Sequence, residues 1–371
     1  MITGILKEIK VAENRVSMTP AGVEAMVSRG HTLLVEKNAG IGSGFEDGAY
    51  EAAGAEIVST PEEIYRRSEM VMHVKEPQPV EYSLIREDQI VFTYLHLAAE
   101  EQLTKALIER KSVNIAYENI QKADGTLPLL TPMSEVAGRM ATQEGAKYLE
   151  MTHGGRGVLL GGVPGVEPGT VIVIGGGVVG INAARMACGL GAKVYLLDTS
   201  LERLRYLSEV MPANCFPVMS SVPALRQLLP EADLVIGAVL IPGGQAPKLI
   251  SRDMLPLMKQ GAVLVDVAID QGGCFETSKA TTHTEPTYMV DGIVHYCVAN
   301  MPGAVAKTSA LALTNATLPY AIEIANKGWK QACRENPEIR LGANVVSGHV
   351  TYDRVAEAFG LPHKEISSLL S

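Results

Sequence analysis

The feature that most constrains the fold is a glycine-rich turn between a strand-like and a helix-like run. The segment VIVIGGGVVG, residues 171–180, ends its apolar run at Gly175, and Gly177, Gly180 and a helix-like stretch follow. In such a unit the first glycine allows the tight turn, the second lets a ligand approach the backbone, and the third lets helix and strand pack closely. The free N–H groups at the helix start would face a phosphate. We therefore predict a dinucleotide-binding βαβ unit.

An acidic residue follows this unit at the position where the ribose of a dinucleotide is recognised. The run KVYLLD ends in Asp198, 23 positions after Gly175. Its carboxylate can accept hydrogen bonds from both hydroxyls of an unphosphorylated ribose, whereas it would repel a 2′-phosphate. Arg203 and Arg205 follow closely. One of them could lie over the adenine or the ribose edge, or they could bind a phosphate. On the acid, we predict NAD rather than NADP.

Strand-like apolar runs alternate with helical periods along almost the whole chain. This alternation predicts an α/β fold with mostly parallel sheets. A chain of 371 residues exceeds one core of ordinary size, so we expect two domains. The candidate strands are Gly4–Lys7, Thr32–Glu36, Met70–Val74, Ile90–Tyr94, Val113–Ala116, Val171–Ile174, Lys193–Leu197, Leu234–Ala238, Val263–Val267 and Ile293–Val298.

The domain boundary is expected near Thr131–Pro132, before a predicted long helix over Met133–Glu150. We expect the second domain to hold six strands. After them the chain is predicted to be helical again from Ala304, and we expect this part to return to the first domain. The expected organisation is a Rossmann dinucleotide-binding domain, residues 132–303, inserted into a discontinuous Rossmann-like substrate domain, residues 1–131 and 304–371.

Composition argues against several classes of protein. The formal net charge is −9, and no run of Lys and Arg suggests nucleic-acid binding. The five cysteines are odd in number and widely spaced, which favours buried thiols in a reducing compartment over disulfides or a metal site. No signal-peptide core fits the N-terminus, and glycines interrupt the most apolar stretch, residues 170–192. We expect a cytoplasmic protein with no metal, membrane or nucleic-acid partner.

Four polar residues stand where strand-like runs end, which is the edge at which parallel sheets bind ligands. Arg15 lies in the loop after the first run, Lys75 ends MVMHVK, His96 ends IVFTYLH, and Asp270 follows VLVDVAI. Beyond Arg15, Thr19–Pro20 predicts the N-cap and first residue of a helix.

Each of the four has an alternative explanation that involves no function. Arg15 could be a surface charge paired with Glu13. Lys75 could pack its aliphatic chain against the protein at a strand end while its ammonium group stays in water. His96 could be a histidine at a helix start whose ring nitrogens are simply hydrogen-bonded within the protein. Asp270 could stabilise the glycine turn that follows it.

As a set, however, the four residue types suit one kind of reaction. An Arg binds a carboxylate through two hydrogen bonds, and a Lys donates to a carbonyl oxygen. A His exchanges protons near neutral pH, and a carboxylate stabilises a cationic imine. The set predicts interconversion of a 2-oxo acid and a 2-amino acid, coupled to hydride transfer.

Several longer segments extend these patterns. They are GILKEIKVAENRVSMTPAGVEAM, VIVIGGGVVGINAARMACGLGAKVYLLD, VKEP, YLHLA, TPMSEVAGRM, VAIDQGG and VANMPGAVAKTSA. Over essentially its whole length the chain resembles the alanine dehydrogenase/pyridine nucleotide transhydrogenase family, and these segments resemble its alanine dehydrogenase branch. Val178–Val179 departs from the family pattern, which often has an alanine before the final glycine.

The resemblance implies NAD-dependent, reversible conversion of L-alanine to pyruvate and ammonia by a homohexamer. It places the carboxylate clamp on Arg15, the carbonyl-binding lysine on Lys75, the proton-transferring histidine on His96 and the active-site carboxylate on Asp270. For the cofactor, besides the three glycines, it points to Ser134, Val178, Val179, Asp198, Arg203, Ser220, Val239, Leu240, Val267, Ala268, Ile269, Asp270, Lys279, Val298, Ala299, Asn300 and Met301.

Three other functions stay open at this level. A hydride-relay subunit of a transhydrogenase would require a membrane partner. A dehydrogenase that forms a saccharopine-like product would require extra polar contacts for a longer substrate. An NAD-binding regulator would require none of the four polar residues. An assay of NADH formation with L-alanine against other amino acids distinguishes these functions.

Overall fold

Parallel strand pairing organises both parts of the chain. The computed structural model describes residues 1–239 and 246–370. It divides into two units, Met1–Met133 with Val305–Ser371, and Ser134–Ala304. The prediction of an α/β fold with two mostly parallel sheets is confirmed.

The first unit opens with alternating strands and helices. The strands are β1 (Ile2–Ile5), β2 (Thr32–Glu36), β3 (Glu56–Val58), β4 (Met70–Met72), β5 (Ile90–Thr93) and β6 (Val113–Ala116). The helices are α1 (Pro20–Val27), α2 (Asp47–Ala52), α3 (Pro61–Arg67) and α4 (Glu101–Arg110). The strands pair in parallel in the order β6-β5-β4-β1-β2-β3. The carboxyl ends of β1, β4 and β5 therefore lie side by side at one edge.

The second unit begins within the first turn of α5 (Thr131–Tyr148), a helix that begins and ends within two residues of the predicted long helix. Its strands are β7 (Thr170–Ile174), β8 (Lys193–Asp198), β9 (Cys215–Met219), β10 (Leu234–Gly237), β11 (Val263–Asp266), β12 (Thr287–Val290) and β13 (Ile293–Tyr296). Its helices are α6 (Val178–Gly189), α7 (Leu201–Val210) and α8 (Val222–Leu228). The strand order is β12-β13-β11-β10-β7-β8-β9, and only the pairing of β12 with β13 is antiparallel.

The last part of the chain returns to the first sheet. It forms α9 (Ala306–Glu335), α10 (Pro337–Gly342), β14 (Ala343–Val346), β15 (His349–Val350) and α11 (Asp353–Phe359). Helical geometry in α9 is broken at Gly328, where φ is 73°. β14 pairs antiparallel with β6, and β15 pairs with β14. Near its start, α9 contacts the first helix, since the Thr19 N–H donates to Thr314 Oγ1 at 3.1 Å.

Burial explains why the central strands were recognisable. Strands β5, β6, β7, β10 and β11 are buried at every residue, so both faces carry mostly apolar side chains and the sequence shows apolar runs there, interrupted within β6 only by Asn114. All five cysteines are buried free thiols, as predicted. Among the described residues, no helix combines the length and apolar character that crossing a membrane requires.

Each of the ten predicted strands overlaps an observed strand, but the prediction is wrong in missing β3, β9, β12, β14 and β15. The described part of the second sheet has seven strands, whereas six were expected and only five of the ten candidate strands lie in it. Four of the missed strands, β3, β9, β12 and β15, are the outermost strands of their sheets. Edge strands are short and partly exposed, and β9 even contains Pro217, which a sheet tolerates at its edge.

Candidate active site

The glycine-rich turn joins β7 to α6 in the second unit. Gly175 has a φ of 106°, a conformation that favours glycine, and its N–H donates to the Leu197 oxygen at 2.7 Å. Gly177 is extended, and a Cβ added there would meet no atom within 4 Å. A Cβ added at Gly180 would lie 1.7 Å from the Gly175 oxygen. Backbone conformation thus requires glycine at position 175 and close packing requires it at position 180, whereas Gly177 leaves open space beside the backbone.

Asp198 links this turn to the following helix. One carboxylate oxygen accepts from the Gly176 N–H and the other from the Ser200 N–H, both at 2.8 Å. Arg203 is held beside the same turn, because its Nε donates to the Gly176 oxygen at 2.6 Å and its guanidinium lies 4.9 Å from the Tyr206 ring centroid. The acid and the arginine therefore both lie against the glycine-rich turn.

Most residues expected to bind the cofactor follow parallel strands of the second unit. Ser220 follows β9, and Val239 follows β10. After β11 come Val267, Ala268, Ile269 and Asp270, and after β13 come Val298, Ala299, Asn300 and Met301. Because these strands are parallel, their carboxyl ends all lie on the same side of the sheet. Leu240 lies outside the described residues.

Three further candidates lie elsewhere. Ser134 is in the first turn of α5, one turn before Gly138, where an added Cβ would lie 2.2 Å from the Val179 oxygen of α6. Val178 is exposed in the first turn of α6. Lys279 is exposed and precedes β12; its N–H donates to the Tyr288 hydroxyl at 2.7 Å. Lys279 follows Ser278, whose hydroxyl donates to Asp266 at the end of β11.

The loop that carries Asp270 is fastened by another carboxylate, Asp266. Asp266 ends β11 and is fully buried. Its oxygens accept from the backbone N–H groups of Ala268 at 3.0 Å and Cys274 at 2.9 Å, and also from the Ser278 hydroxyl. Asp270 itself is exposed within a short 3-10 turn. The carboxylate that holds the glycine turn is therefore Asp266, and Asp270 projects from the loop that it fixes.

In the first unit, Arg15, Lys75 and His96 follow β1, β4 and β5. These three strands are neighbours in the sheet, which brings Lys75 and His96, each three residues beyond its strand, to the same end of it. Arg15 lies ten residues beyond β1, and its loop reaches the end of β4, where the Ser17 hydroxyl donates to the Met72 oxygen at 3.1 Å. Residues that are 60 and 21 positions apart in sequence become neighbours only through this strand order.

The alternative in which Arg15 is a surface charge is wrong, although its pairing with Glu13 is real. Arg15 is 2% exposed and Glu13 is 6% exposed. Arg15 Nε and Nη2 each donate to one Glu13 oxygen at 2.6 Å, and Nη1 lies 3.1 Å from Met133 Sδ. Burial alone would lower the pKa of Arg15, but the hydrogen bonds and charge of Glu13 outweigh it and raise that pKa.

Carboxylates also hold the backbone at the two other strand ends; Glu8 is buried and Glu118 is half-buried. Glu8 accepts from the Val74 N–H at 2.6 Å and from the Lys75 N–H at 3.2 Å. Glu118 accepts from the His96 N–H at 2.6 Å. His96 has a left-handed backbone, with φ 50° and ψ 36°, and its side chain is exposed. Each candidate residue thus leaves its strand with backbone amides bonded to a carboxylate.

Comparison with known proteins identifies the family. Residues 4–137 match the Alanine dehydrogenase/PNT N-terminal domain, and residues 141–353 match the Alanine dehydrogenase/PNT C-terminal domain. The chain belongs to the alanine dehydrogenase/PNT family. A family member from Methanococcus maripaludis, an alanine dehydrogenase, is 55% identical over 372 residues and covers 100% of both chains.

Solved structures in this family share the architecture. An L-alanine dehydrogenase that is 49% identical matches with a TM-score of 0.94, covering 97% of this chain and 99% of that one. A transhydrogenase from Sinorhizobium meliloti is 24% identical and has a TM-score of 0.82, covering 95% of this chain and 99% of that one. At that identity the second likeness shows the fold alone.

Sequence reasoning missed the four supporting carboxylates Glu8, Glu13, Glu118 and Asp266. Glu13 was considered only as a surface partner of Arg15. A usable signal exists for Asp266, which is a charged residue at the end of an otherwise apolar strand. For Glu8 and Glu118 no local pattern is evident, because their partners lie 66 and 22 residues away in sequence.

Proposed function

We propose that the chain is an alanine dehydrogenase that catalyses the NAD-dependent, reversible oxidative deamination of L-alanine. L-alanine, NAD⁺ and water would yield pyruvate, ammonium, NADH and a proton. The observation that carries the proposal is the gathering of Arg15, Lys75 and His96 at neighbouring strand ends, in a chain 55% identical over its full length to a named alanine dehydrogenase.

Arg15 would bind the substrate carboxylate. Its Nε and Nη2 donate to Glu13 and Nη1 lies 3.1 Å from Met133 Sδ, and the substrate carboxylate would accept from the guanidinium beside these contacts. Glu13 holds the plane of the guanidinium and keeps it charged, so the clamp is oriented before substrate arrives. Lys75 would donate to the carbonyl oxygen of pyruvate, and to the oxygen of the carbinolamine that precedes it.

His96 would transfer the proton. In the direction of deamination, L-alanine with a neutral amine loses a hydride from its Cα and becomes an iminium. His96 then acts as general base when water adds to this iminium. The exposed imidazole lies at the strand edge that also carries Arg15 and Lys75. Asp270 would stabilise the cationic imine and assist release of ammonia. The bound nicotinamide supplies the hydride acceptor.

The second unit fits NAD at several points. The pyrophosphate would lie at the start of α6, where Gly177 leaves space beside the backbone. Asp198 would accept from the ribose hydroxyls as well as from the backbone, since each carboxylate oxygen has two lone pairs. Arg203 is already bonded to the Gly176 oxygen, which favours NAD over a 2′-phosphorylated cofactor. The other proposed contacts are Ser134, Gly175, Val178, Val179, Gly180, Ser220, Val239, Leu240, Val267, Ala268, Ile269, Lys279, Val298, Ala299, Asn300 and Met301.

We also assign roles to the two units and an assembly. Substrate binding is proposed for Met1–Met133 with Val305–Ser371, and cofactor binding for Ser134–Ala304. From the family resemblance we propose a cytoplasmic homohexamer. Light scattering of the purified protein should give a particle of six 39.6-kDa chains. A smaller particle at assay concentration would contradict the assembly without affecting the proposed reaction.

The proposed reaction is tested by NADH absorbance with L-alanine and NAD⁺, compared with D-alanine, glycine, L-serine and L-glutamate. L-alanine should give the highest kcat/KM, and NADP⁺ should be a poor replacement for NAD⁺. His96→Ala should lower kcat by about 10²- to 10⁴-fold, the usual contribution of general acid–base catalysis. A protein that binds NADH but oxidises none of these amino acids would be a regulator instead, and near-normal turnover of the variant would reject His96 as the base.

A further inference from the structure

A buried imidazole lies two residues before Lys75, at the end of β4. His73 is 1% exposed. Its Nδ1 lies 3.3 Å from Glu8 Oε1, and its Nε2 lies 3.5 Å from Glu81 Oε1. The Tyr65 hydroxyl lies 3.0 Å from the same Nε2. One ring therefore connects two buried carboxylates on opposite sides.

Those two carboxylates bond the backbone of the segment that carries Lys75. Glu8 accepts from the N–H groups of Val74 and Lys75, and Glu81 accepts from the Gln78 N–H at 2.7 Å. On the adjacent strand the Thr93 hydroxyl donates to the Lys75 oxygen at 2.9 Å. The main chain over Val74–Gln78 is thus fixed mainly by the two carboxylates that flank His73.

A doubly protonated ring supplies a donor on each side: Nδ1–H toward Glu8, and Nε2–H toward the Tyr65 hydroxyl oxygen and Glu81. A neutral imidazole has one N–H, so one of the two carboxylates would face a ring nitrogen lone pair. The groups around the ring are Glu8 after β1, Glu36 at the end of β2, Tyr65 in α3 and Glu81. Burial alone would lower the pKa of His73, but the carboxylates of Glu81 and Glu8 outweigh it and raise that pKa to about 9. The cation therefore persists at neutral pH.

We propose that His73 is a positioning residue for Lys75: its imidazolium holds the Glu8 and Glu81 carboxylates, and these fix the Val74–Gln78 backbone so that the Lys75 amine meets the oxygen of the 2-oxo acid. This inference rests on the proposed function, because it takes the role of Lys75 from it. His73 touches no reacting atom and acts only through the segment.

A double-mutant cycle tests the inference in the intact protein. His73→Gln, Lys75→Met and the double variant are compared for kcat and pyruvate KM at saturating NADH and ammonium. His73→Gln should lower kcat/KM for pyruvate by about 10- to 100-fold, the range expected when hydrogen bonds to charged groups are lost. In the Lys75→Met background the same change should have almost no further effect, because the segment no longer carries the amine.

Two controls separate positioning from a general loss of structure. NADH affinity, measured by fluorescence titration, should stay within about twofold of the wild type, because all the altered contacts lie in the first unit. His31→Gln makes the same chemical change at another buried histidine of this unit, which is bonded to Asn326 at 2.8 Å. It should leave pyruvate kcat/KM unchanged.

The outcomes distinguish this inference from the proposed function. Normal kcat/KM in His73→Gln, or equal losses in the presence and absence of Lys75, would overturn the positioning role while leaving the reaction intact. Normal turnover in Lys75→Met would instead overturn the proposed role of Lys75. If His73→Gln yields no folded protein, Glu81→Gln replaces it in the same cycle, since it keeps a carbonyl acceptor for Gln78 and removes only the charge.

Discussion

Gly180→Ala tests the close packing of α6 on the glycine-rich turn. The added Cβ would lie 1.7 Å from the Gly175 oxygen, and real Cβ atoms essentially never approach closer than 3.0 Å. Because the atom in the way belongs to the backbone, no side-chain rotation relieves the overlap, and the start of α6 has to move by more than an ångström. Overpacking of this kind costs about 1–3 kcal/mol, which exceeds the gain of up to about 1 kcal/mol from alanine in a helix.

Two measurements test the effect of Gly180→Ala. The melting temperature, by calorimetry or circular dichroism, should fall by about 2–6 °C if the net loss is about 1–1.5 kcal/mol. The Kd for NADH should rise by at least about tenfold, equivalent to about 1.4 kcal/mol, because the amides at the helix start would no longer face the pyrophosphate.

Gly177→Ala is the matched control, three residues before Gly180. Its added Cβ meets no atom within 4 Å, and its φ of −74° suits alanine. Its melting temperature should therefore stay within about 2 °C of the wild type, while its Kd for NADH rises because the methyl group occupies the proposed pyrophosphate space. The reasoning fails if Gly180→Ala melts and binds like the wild type, or if both variants lose stability equally.

Four further predictions concern Arg15, Asp198, Asp266 and His73. Arg15→Lys should raise pyruvate KM at least about tenfold, since one ammonium cannot reproduce both bonds to Glu13 and bind substrate; an unchanged KM rejects the clamp. Asp198→Asn should raise the ratio of kcat/KM for NADP⁺ to that for NAD⁺ at least about tenfold, and a constant ratio would contradict the ribose assignment. Asp266→Asn should lower the free energy of unfolding by about 1.5–3 kcal/mol, because the buried carboxylate accepts from three backbone amides and the Ser278 hydroxyl; urea unfolding with wild-type stability would show that Asp266 does not anchor the loop. Burial would lower the pKa of His73, but the carboxylates of Glu81 and Glu8 raise it from 6.5 to about 9, so the charged ring adds about 3 kcal/mol that is fully present below pH 6.5 and lost as pH rises through 9. In urea titrations the stability difference between the wild type and His73→Gln should therefore shrink by about that amount between pH 6.5 and 9; a difference independent of pH would show that the ring is not charged in the folded protein.

Much of the fold was accessible because its signals are local. A strand buried on both faces has to be apolar at consecutive positions, which made β5, β7 and β10 recognisable. The edge strands were missed because one side of each is less buried, and their pairing depends on a neighbour far away in sequence. The break in α9 at Gly328 was also not anticipated, since an isolated glycine in a helical pattern does not specify a left-handed conformation.

The sequence by itself determined which residues could carry the chemistry and what the glycine-rich turn requires, because residue type, strand ends and backbone conformation are properties of short segments. Only the tertiary structure decided that β4 and β5 lie next to β1, which gathers Arg15, Lys75 and His96 at one edge. It also decided that Arg15 is buried against Glu13, and that Glu8, Glu118 and Asp266 hold the strand ends. The physical reason is that a buried charge is stable only beside a partner, and the chain positions of those partners are set by the packing of distant strands.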